Sequence, residues 1–207
     1  MSGRFITVEG IEGVGKSTNL QWLAQRLRAR GIDVLLTREP GGTPLAEQLR
    51  EVLLHAEERV PPVAELLLMF AARAVHLENQ IRPALAAGRW VLCDRFTDAT
   101  RAYQGGGRGE AHDRIEQLAD WVHGDLAPAL TVLLDAPVEV ALARTRGRGS
   151  DDRFERESIA FFGRVREAYL GIAAREPARV VTVDATAPLA EVQHRLEQVL
   201  DHFIEFS

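Results

Sequence analysis

The chain has 207 residues, 46% hydrophobic and 27% charged, with 25 basic against 30 acidic side chains, six histidines and a single cysteine. This length suits one domain with its own core; no apolar run is long enough to span a bilayer, and one cysteine excludes an internal disulfide framework. A net charge of −5 argues against a general nucleic-acid or anionic-membrane binder, since both need broad basic surfaces.

Residues 5–9, Phe-Ile-Thr-Val-Glu, read as the first strand and run directly into Gly10-Ile11-Glu12-Gly13-Val14-Gly15-Lys16-Ser17-Thr18. A cleavable leader here would remove that strand, so a cytoplasmic protein is expected. The glycine stretch satisfies G-x-x-x-x-G-K-[ST] in the setting the motif requires, a strand before it and an amphipathic helix after it. Glycines let backbone N–H groups turn around phosphate oxygens, and the helix start adds partial positive charge. In this pattern Lys16 reaches the β- and γ-phosphates and the Ser17 hydroxyl ligates Mg²⁺. Residues 10 to 18 are therefore expected to bind ATP or another nucleoside triphosphate. Leu20, Leu23, Ala24 and Leu27 then recur at helical spacing, and Gly31 supplies a C-terminal cap.

A second strand over residues 33–37 leads into Thr37-Arg38-Glu39-Pro40-Gly41-Gly42-Thr43. A long helical pattern follows at residues 62–86, in which Phe70 and Arg73, three apart, share a face. The third strand, residues 90–94, holds Cys93 as a small buried hydrophobe and ends in Asp94-Arg95. A carboxylate at a strand end is where this class of fold presents a second Mg²⁺-related acid; capping of the next segment is the alternative for Asp94. Arg38 and Arg95, each ending a strand, suit bidentate binding of a second, phosphorylated substrate. A surface ion pair of Arg38 with Glu39 or another acid, and core packing of Phe70, are the competing readings.

Further strands at residues 130–135 and 180–184 are nearly all apolar, like the first three, as in a parallel sheet buried on both faces. Residues 144–157 break the pattern: Arg144, Arg146, Arg148, Arg153 and Arg156 alternate with acids and glycines, as in an exposed flap. Leu189, Val192, Leu196, Val199, Leu200 and Phe203 mark a last amphipathic helix. The βαβ alternation predicts an α/β fold: a P-loop three-layer sandwich with a five-stranded parallel sheet flanked by helices, a single domain over residues 1–207 that carries 144–157 as a small mobile lid. No Asn-Lys-x-Asp base reader of a GTPase is present and the chain is small for a motor, so a small phosphotransferase is favoured over a nucleotide-dependent switch. The histidines form no metal-ligand spacing.

Thr-Arg-Glu-Pro-Gly-Gly-Thr at 37–43, Leu-Leu-Met-Phe-Ala-Ala-Arg at 67–73, Asp94-Arg95-Phe96 and Ala-Tyr-Gln-Gly-Gly-Gly-Arg-Gly at 102–109, in this order and spacing, resemble the bacterial thymidylate kinases. The likeness extends from residue 5 to the last helix. It implies the reaction ATP + dTMP → ADP + dTDP with Mg²⁺, and a homodimer formed through helix faces such as that near residues 66–80. It implies further that Phe70 and Arg73 hold the thymine, that Thr100 and Gln104 lie near base and phosphate, and that the Tyr103 ring stands where a 2′-hydroxyl would go. Glu12 would meet the 3′-hydroxyl of dTMP, with Arg38 and Arg95 on its phosphate. The variable loop positions Ile11, Glu12, Gly13 and Val14 contain no arginine, so the chain resembles the group with a catalytic arginine in the lid, Arg153, acting with Lys16 and Arg95. Arg144, Arg146 and Arg148 are the alternatives for the contact to adenine, and Arg146 is the flap residue expected at ATP. Phe96 departs from the tyrosine or histidine common in relatives.

Overall fold

A computed structural model describes residues 3–145, 154 and 157–205. Five strands form one all-parallel sheet in the order β2-β3-β1-β4-β5: β1 (Phe5–Glu9), β2 (Val34–Arg38), β3 (Trp90–Asp94), β4 (Leu130–Asp135) and β5 (Val180–Asp184). Strand β2 begins one residue later than its apolar run suggested and includes Arg38, which pairs in register with Asp94. The central strands β1, β3 and β4 are buried along nearly their whole length, whereas the edge strands β2 and β5 expose part of theirs. This is why the inner strands read as nearly continuous apolar runs.

Alternation along the strands feeds two cores. Ile6 and Val8 of β1, with Trp90 and Leu92 of β3, face a large core with Leu20, Leu23 and Leu27 of α1 (Lys16–Ala29). Phe5, Val91 and Cys93 face the opposite side, against Leu77, Ile81 and Phe96.

Helix α2 (Pro44–His55) has no counterpart among the sequence expectations. Thr43 caps it, accepting a hydrogen bond from the Ala46 N–H at 3.3 Å, and Pro44 occupies its first turn. Only Ala46, Leu53 and Leu54 of this helix are buried, so its apolar stripe is faint in the sequence. The expected long helix at 62–86 is present as α3 (Pro62–His76) and α4 (Arg82–Ala86), joined by a π-helical turn, Leu77–Ile81.

After β3 come α5 (Thr97–Thr100) and a second π-helical segment, Arg101–Gly107, then α6 (His112–Val122). Gly105, Gly106 and Gly107 thus lie inside the π-helical segment rather than in a loop. The reason is tertiary. The chain continues through α7 (Val138–Ala143) to α8 (Ile159–Arg175), and α8 presses directly on the π segment. A Cβ on Gly106 would sit 2.6 Å from the Ala168 Cβ, and one on Gly107 would sit 2.5 Å from the Phe161 ring. Gly107→Ala is therefore expected to overpack this contact and to cost about 1–3 kcal/mol, measured as a lower urea midpoint with an unchanged slope. Helix α9 (Leu189–Glu205) closes the fold, burying Val192, Leu196 and Leu200 as the periodicity indicated.

Candidate active site

The glycine loop lies at the carboxyl edge of the sheet, between β1 and α1, where parallel α/β folds build their sites. Gly13 has φ +80°, and a side chain there would collide with the Ala141 carbonyl of α7. Lys16 folds back over the loop, its Nζ donating to the carbonyls of Gly10 (3.0 Å) and Ile11 (2.8 Å). Burial, then the nearby Arg95 cation, bring its pKa down to about 8, against the opposing pull of Asp94, Glu12 and Glu9. Ser17 and Thr18 stand exposed at the start of α1. One oxygen of Asp94, Oδ1, is buried and accepts no hydrogen bond from any described residue.

Beside the loop is a cavity of about 570 Å³, open to solvent. Of the side chains expected at a second substrate, Glu12, Arg73, Arg95, Thr100, Tyr103 and Gln104 line it. Glu12 does not point at the phosphate loop's interior. Its carboxylate accepts from Arg95 Nη2 at 2.8 Å and from the Tyr103 hydroxyl at 2.5 Å. Arg95 adopts the left-handed region, φ +70°, rare for a non-glycine residue and a store of local strain at functional sites. That backbone turn sends its guanidinium across the Tyr103 ring, 4.7 Å from the centroid, with further bonds to the hydroxyls of Tyr103 (3.1 Å) and Tyr169 (3.2 Å).

The Tyr169 hydroxyl in turn donates to Glu9 Oε2 at 2.7 Å, and the Phe96 N–H donates to Glu9 Oε1 at 2.7 Å. Burial, reinforced by Asp98, pushes the Glu9 carboxyl up to about 8, although Arg95, Tyr169 and the Phe96 N–H oppose this. Glu9 therefore keeps its proton at neutral pH while the unfolded chain has lost it above about 4.5. Proton binding by the folded state alone means that stability falls as pH rises between those two values. Against Glu9→Gln, which carries no such proton, the parent should lose stability from about pH 5 to 8, with a slope approaching 1.4 kcal/mol per pH unit, roughly, and then level off. Denaturant titrations of both proteins across this range check the trend.

Arg73 is buried between two rings, its guanidinium carbon 4.9 Å from the Phe70 centroid and 5.0 Å from that of Phe96. It donates through Nε to Glu39 Oε2 (2.7 Å) and through Nη2 to the Thr100 hydroxyl (3.1 Å). Its Nη1 meets no acceptor among the described residues. Gln104 is held by Glu65 at 2.8 Å.

Two expected residues do not face the cavity. Arg38 bonds Glu47 through Nε and Nη2 (3.2 and 2.7 Å) and is largely exposed. Phe70 lies behind Arg73, packed with Leu66, Ile115 and Ala119, while its neighbour Met69 reaches the cavity wall. Arg146 and Arg153, together with most of the expected lid, lie outside the described residues; Phe154 is described and lines the cavity. Sequence reasoning gave no site role to Glu39, Pro40, Arg50 or Met69, all of which line the cavity. For Glu39 and Pro40 the signal was present in the Arg-Glu-Pro-Gly-Gly-Thr motif. Arg50, on α2 and bonded to the Pro40 carbonyl at 3.1 Å, had none.

The family model for thymidylate kinase matches residues 8–196. A thymidylate kinase of Pseudomonas fluorescens strain Pf-5 is 60% identical over 206 residues, covering 99% of this chain and 98% of its own. One from Pseudomonas syringae pv. tomato is 59% identical with the same coverage. Among solved structures, thymidylate kinase from Ehrlichia chaffeensis superposes with a TM-score of 0.79 at 34% identity, covering 97% of this chain and 99% of that one.

Proposed function

The chain belongs to the thymidylate kinase family, and from that premise we propose how its own residues divide the work of moving the γ-phosphoryl group of ATP to dTMP, giving ADP and dTDP. Residues 10 to 18 take the ATP phosphates, with Lys16 turning from the loop carbonyls to the β- and γ-oxygens. The neighbouring cavity takes dTMP. The observation that carries this assignment is Glu12: its bonds to Arg95 and Tyr103 hold its negative charge on the cavity side, away from where a triphosphate would repel it.

The acceptor is a phosphate monoester with a second pKa of about 6, so it is already nucleophilic at neutral pH and needs no general base. The chain's task is alignment and charge neutralisation. Arg95 donates to the dTMP phosphate, helped by Arg38 once released from Glu47. Glu12 accepts from the 3′-hydroxyl, and the Tyr103 ring excludes a 2′-hydroxyl. Arg73 Nη1 donates to a carbonyl of thymine, with Phe70 and Thr100 fixing its plane and Gln104 alongside. Arg153 of the lid, over residues 144–157 of this single domain, meets the transferring group, and Arg146 meets ATP.

The orphaned Asp94 oxygen and the exposed Ser17 hydroxyl fit a hard divalent cation that takes most of its ligands from phosphate and water. They would hold Mg²⁺, which when bound neutralises charge on the donor phosphates. Among the described residues there is no cluster of three or more acidic, histidine or cysteine side chains to hold a metal by themselves.

The enzyme works in the cytoplasm as a homodimer, without nucleic acid or membrane. In support, no helix among the described residues is long and apolar enough to cross a membrane, and α3 and α6 leave Val63, Leu67 and the 84% exposed Trp121 in solvent. The acceptor assignment is tested by titrating dTMP and thymidine calorimetrically into the protein without ATP. With Arg95 reading the phosphate, thymidine should bind at least about tenfold more weakly. Equal affinities would remove Arg95 from that role.

A further inference from the structure

Among the described residues lining the cavity, Arg73 combines an unpaired donor, Nη1, with a chain of buried polar residues behind it. The far oxygen of its partner Glu39, Oε1, lies 3.1 Å from His76 Nδ1. Because a carboxylate only accepts, that nitrogen carries the hydrogen. His76 Nε2 is 2.7 Å from the Thr37 hydroxyl, which donates to Gln80 Oε1 at 3.2 Å. His76 has no solvent exposure, and Glu39 and Arg73 have almost none. Burial alone would raise the Glu39 carboxyl; Arg73 and His76 outweigh it, and the group is held below its ordinary range. The loop leaving β2 rests directly on this chain. Gly42 has φ +86°, and any side chain there would run into the His76 ring and lie 2.6 Å from the Thr37 hydroxyl.

We propose that His76 is a positioning residue for acceptor recognition: by fixing Glu39 from behind, it locks the Arg73 guanidinium between Phe70 and Phe96 with Nη1 aimed at the base. Two of Arg73's donor directions are satisfied by Glu39 and Thr100, and the planar fork transmits their angle to the third. Without the His76 contact Glu39 can rotate, Arg73 follows, and the free N–H no longer stands at one angle to the base. This loosens the choice of a base that offers a carbonyl over one that offers an amino group at the same ring position. The inference rests on the reading of Arg73 given above.

The test compares His76→Leu, His76→Gln and His76→Asn, with dTMP and dCMP as acceptors at saturating ATP. Asparagine places an amide N–H near the position of Nδ1 and can still hold Glu39; glutamine reaches only toward Thr37. His76→Leu and His76→Gln should raise the dTMP KM about tenfold and narrow the dTMP-to-dCMP ratio of kcat/KM, with the ATP KM changed less than about twofold. His76→Asn should restore the dTMP KM to within about threefold of the parent. Unchanged dTMP KM and selectivity in His76→Leu overturns the proposal. So does an asparagine variant as impaired as the leucine one with the ATP KM raised in parallel, since that marks a general packing role. Arg73→Gln in the same assay separates the two layers: if it leaves the selectivity ratio intact, the base-reading role of Arg73 fails and the inference with it. If it collapses the ratio while the His76 variants do not, only the inference fails.

Discussion

Arg95→Lys should lower kcat/KM for dTMP by about 10²–10³-fold even though it keeps the positive charge. Arg95 makes four contacts at once: Glu12, the hydroxyls of Tyr103 and Tyr169, and the face of the Tyr103 ring. A lysine ammonium cannot reproduce that fork or its stacking. It would leave the Glu12 carboxylate and two hydroxyls partly buried without their shared donor, and the group meant for the acceptor phosphate would no longer be fixed. Both KM for dTMP and kcat should suffer, while the ATP KM changes little, because Lys16 and the loop carbonyls are untouched. Glu12→Gln on the lysine background tests the coupling. With the Arg95 fork already lost, the second substitution should cost much less than in the parent, as expected for groups acting as a unit. Steady-state kinetics of the four proteins measure this directly.

Lys16→Met should separate activity from stability. Turnover should fall by about 10²–10³-fold, because no other described cation reaches the donor phosphates from within the loop. Yet the folded protein should become more stable. Lys16 is charged at neutral pH at the cost of desolvation and of the nearby Arg95, the two causes that bring its pKa to about 8. Methionine fills similar space without that penalty, so a gain of roughly 1–2 kcal/mol is expected, discounted for the part of the side chain that reaches solvent. The sign with pH follows. A lysine with a lowered folded pKa has its stability contribution fully present above the unfolded value of 10.5 and loses it as pH falls through about 8. The methionine advantage should therefore be largest below pH 8 and shrink toward pH 10.5. Thermal melts at several pH values, alongside turnover, check both halves.

What could be read in the sequence was local. Gly10 to Thr18 carries its whole meaning within nine residues, and its flanking strand and helix confirmed the context. The inner strands were visible because burial on both faces keeps them mostly apolar, with Thr7, Glu9 and Thr131 the buried polar exceptions. Glu12 was expected at the acceptor because of the family resemblance, in keeping with the repulsion a carboxylate would meet from a triphosphate, and in the structure its carboxylate is bonded by Arg95 and Tyr103. What stayed hidden depended on distant partners. The run Gly105 to Gly107 looks like a loop until α8 is laid against it. Glu39 and His76 are 37 positions apart, and each alone is an ordinary polar residue. Helix α2 presents too few buried side chains to declare itself. Phe70, expected on the thymine, is instead covered by the guanidinium it supports, and the rotation of Arg38 toward Glu47 is a choice among surface acids that no spacing encodes.

The most direct test is ADP formation by the purified protein with Mg·ATP and, in turn, dTMP, dUMP, dCMP, dGMP and thymidine. Turnover should depend on the acceptor, being fastest with dTMP and negligible with thymidine, which lacks the phosphate that Arg95 is held to receive. A preference for another acceptor, or ADP release indifferent to which acceptor is present, would contradict this.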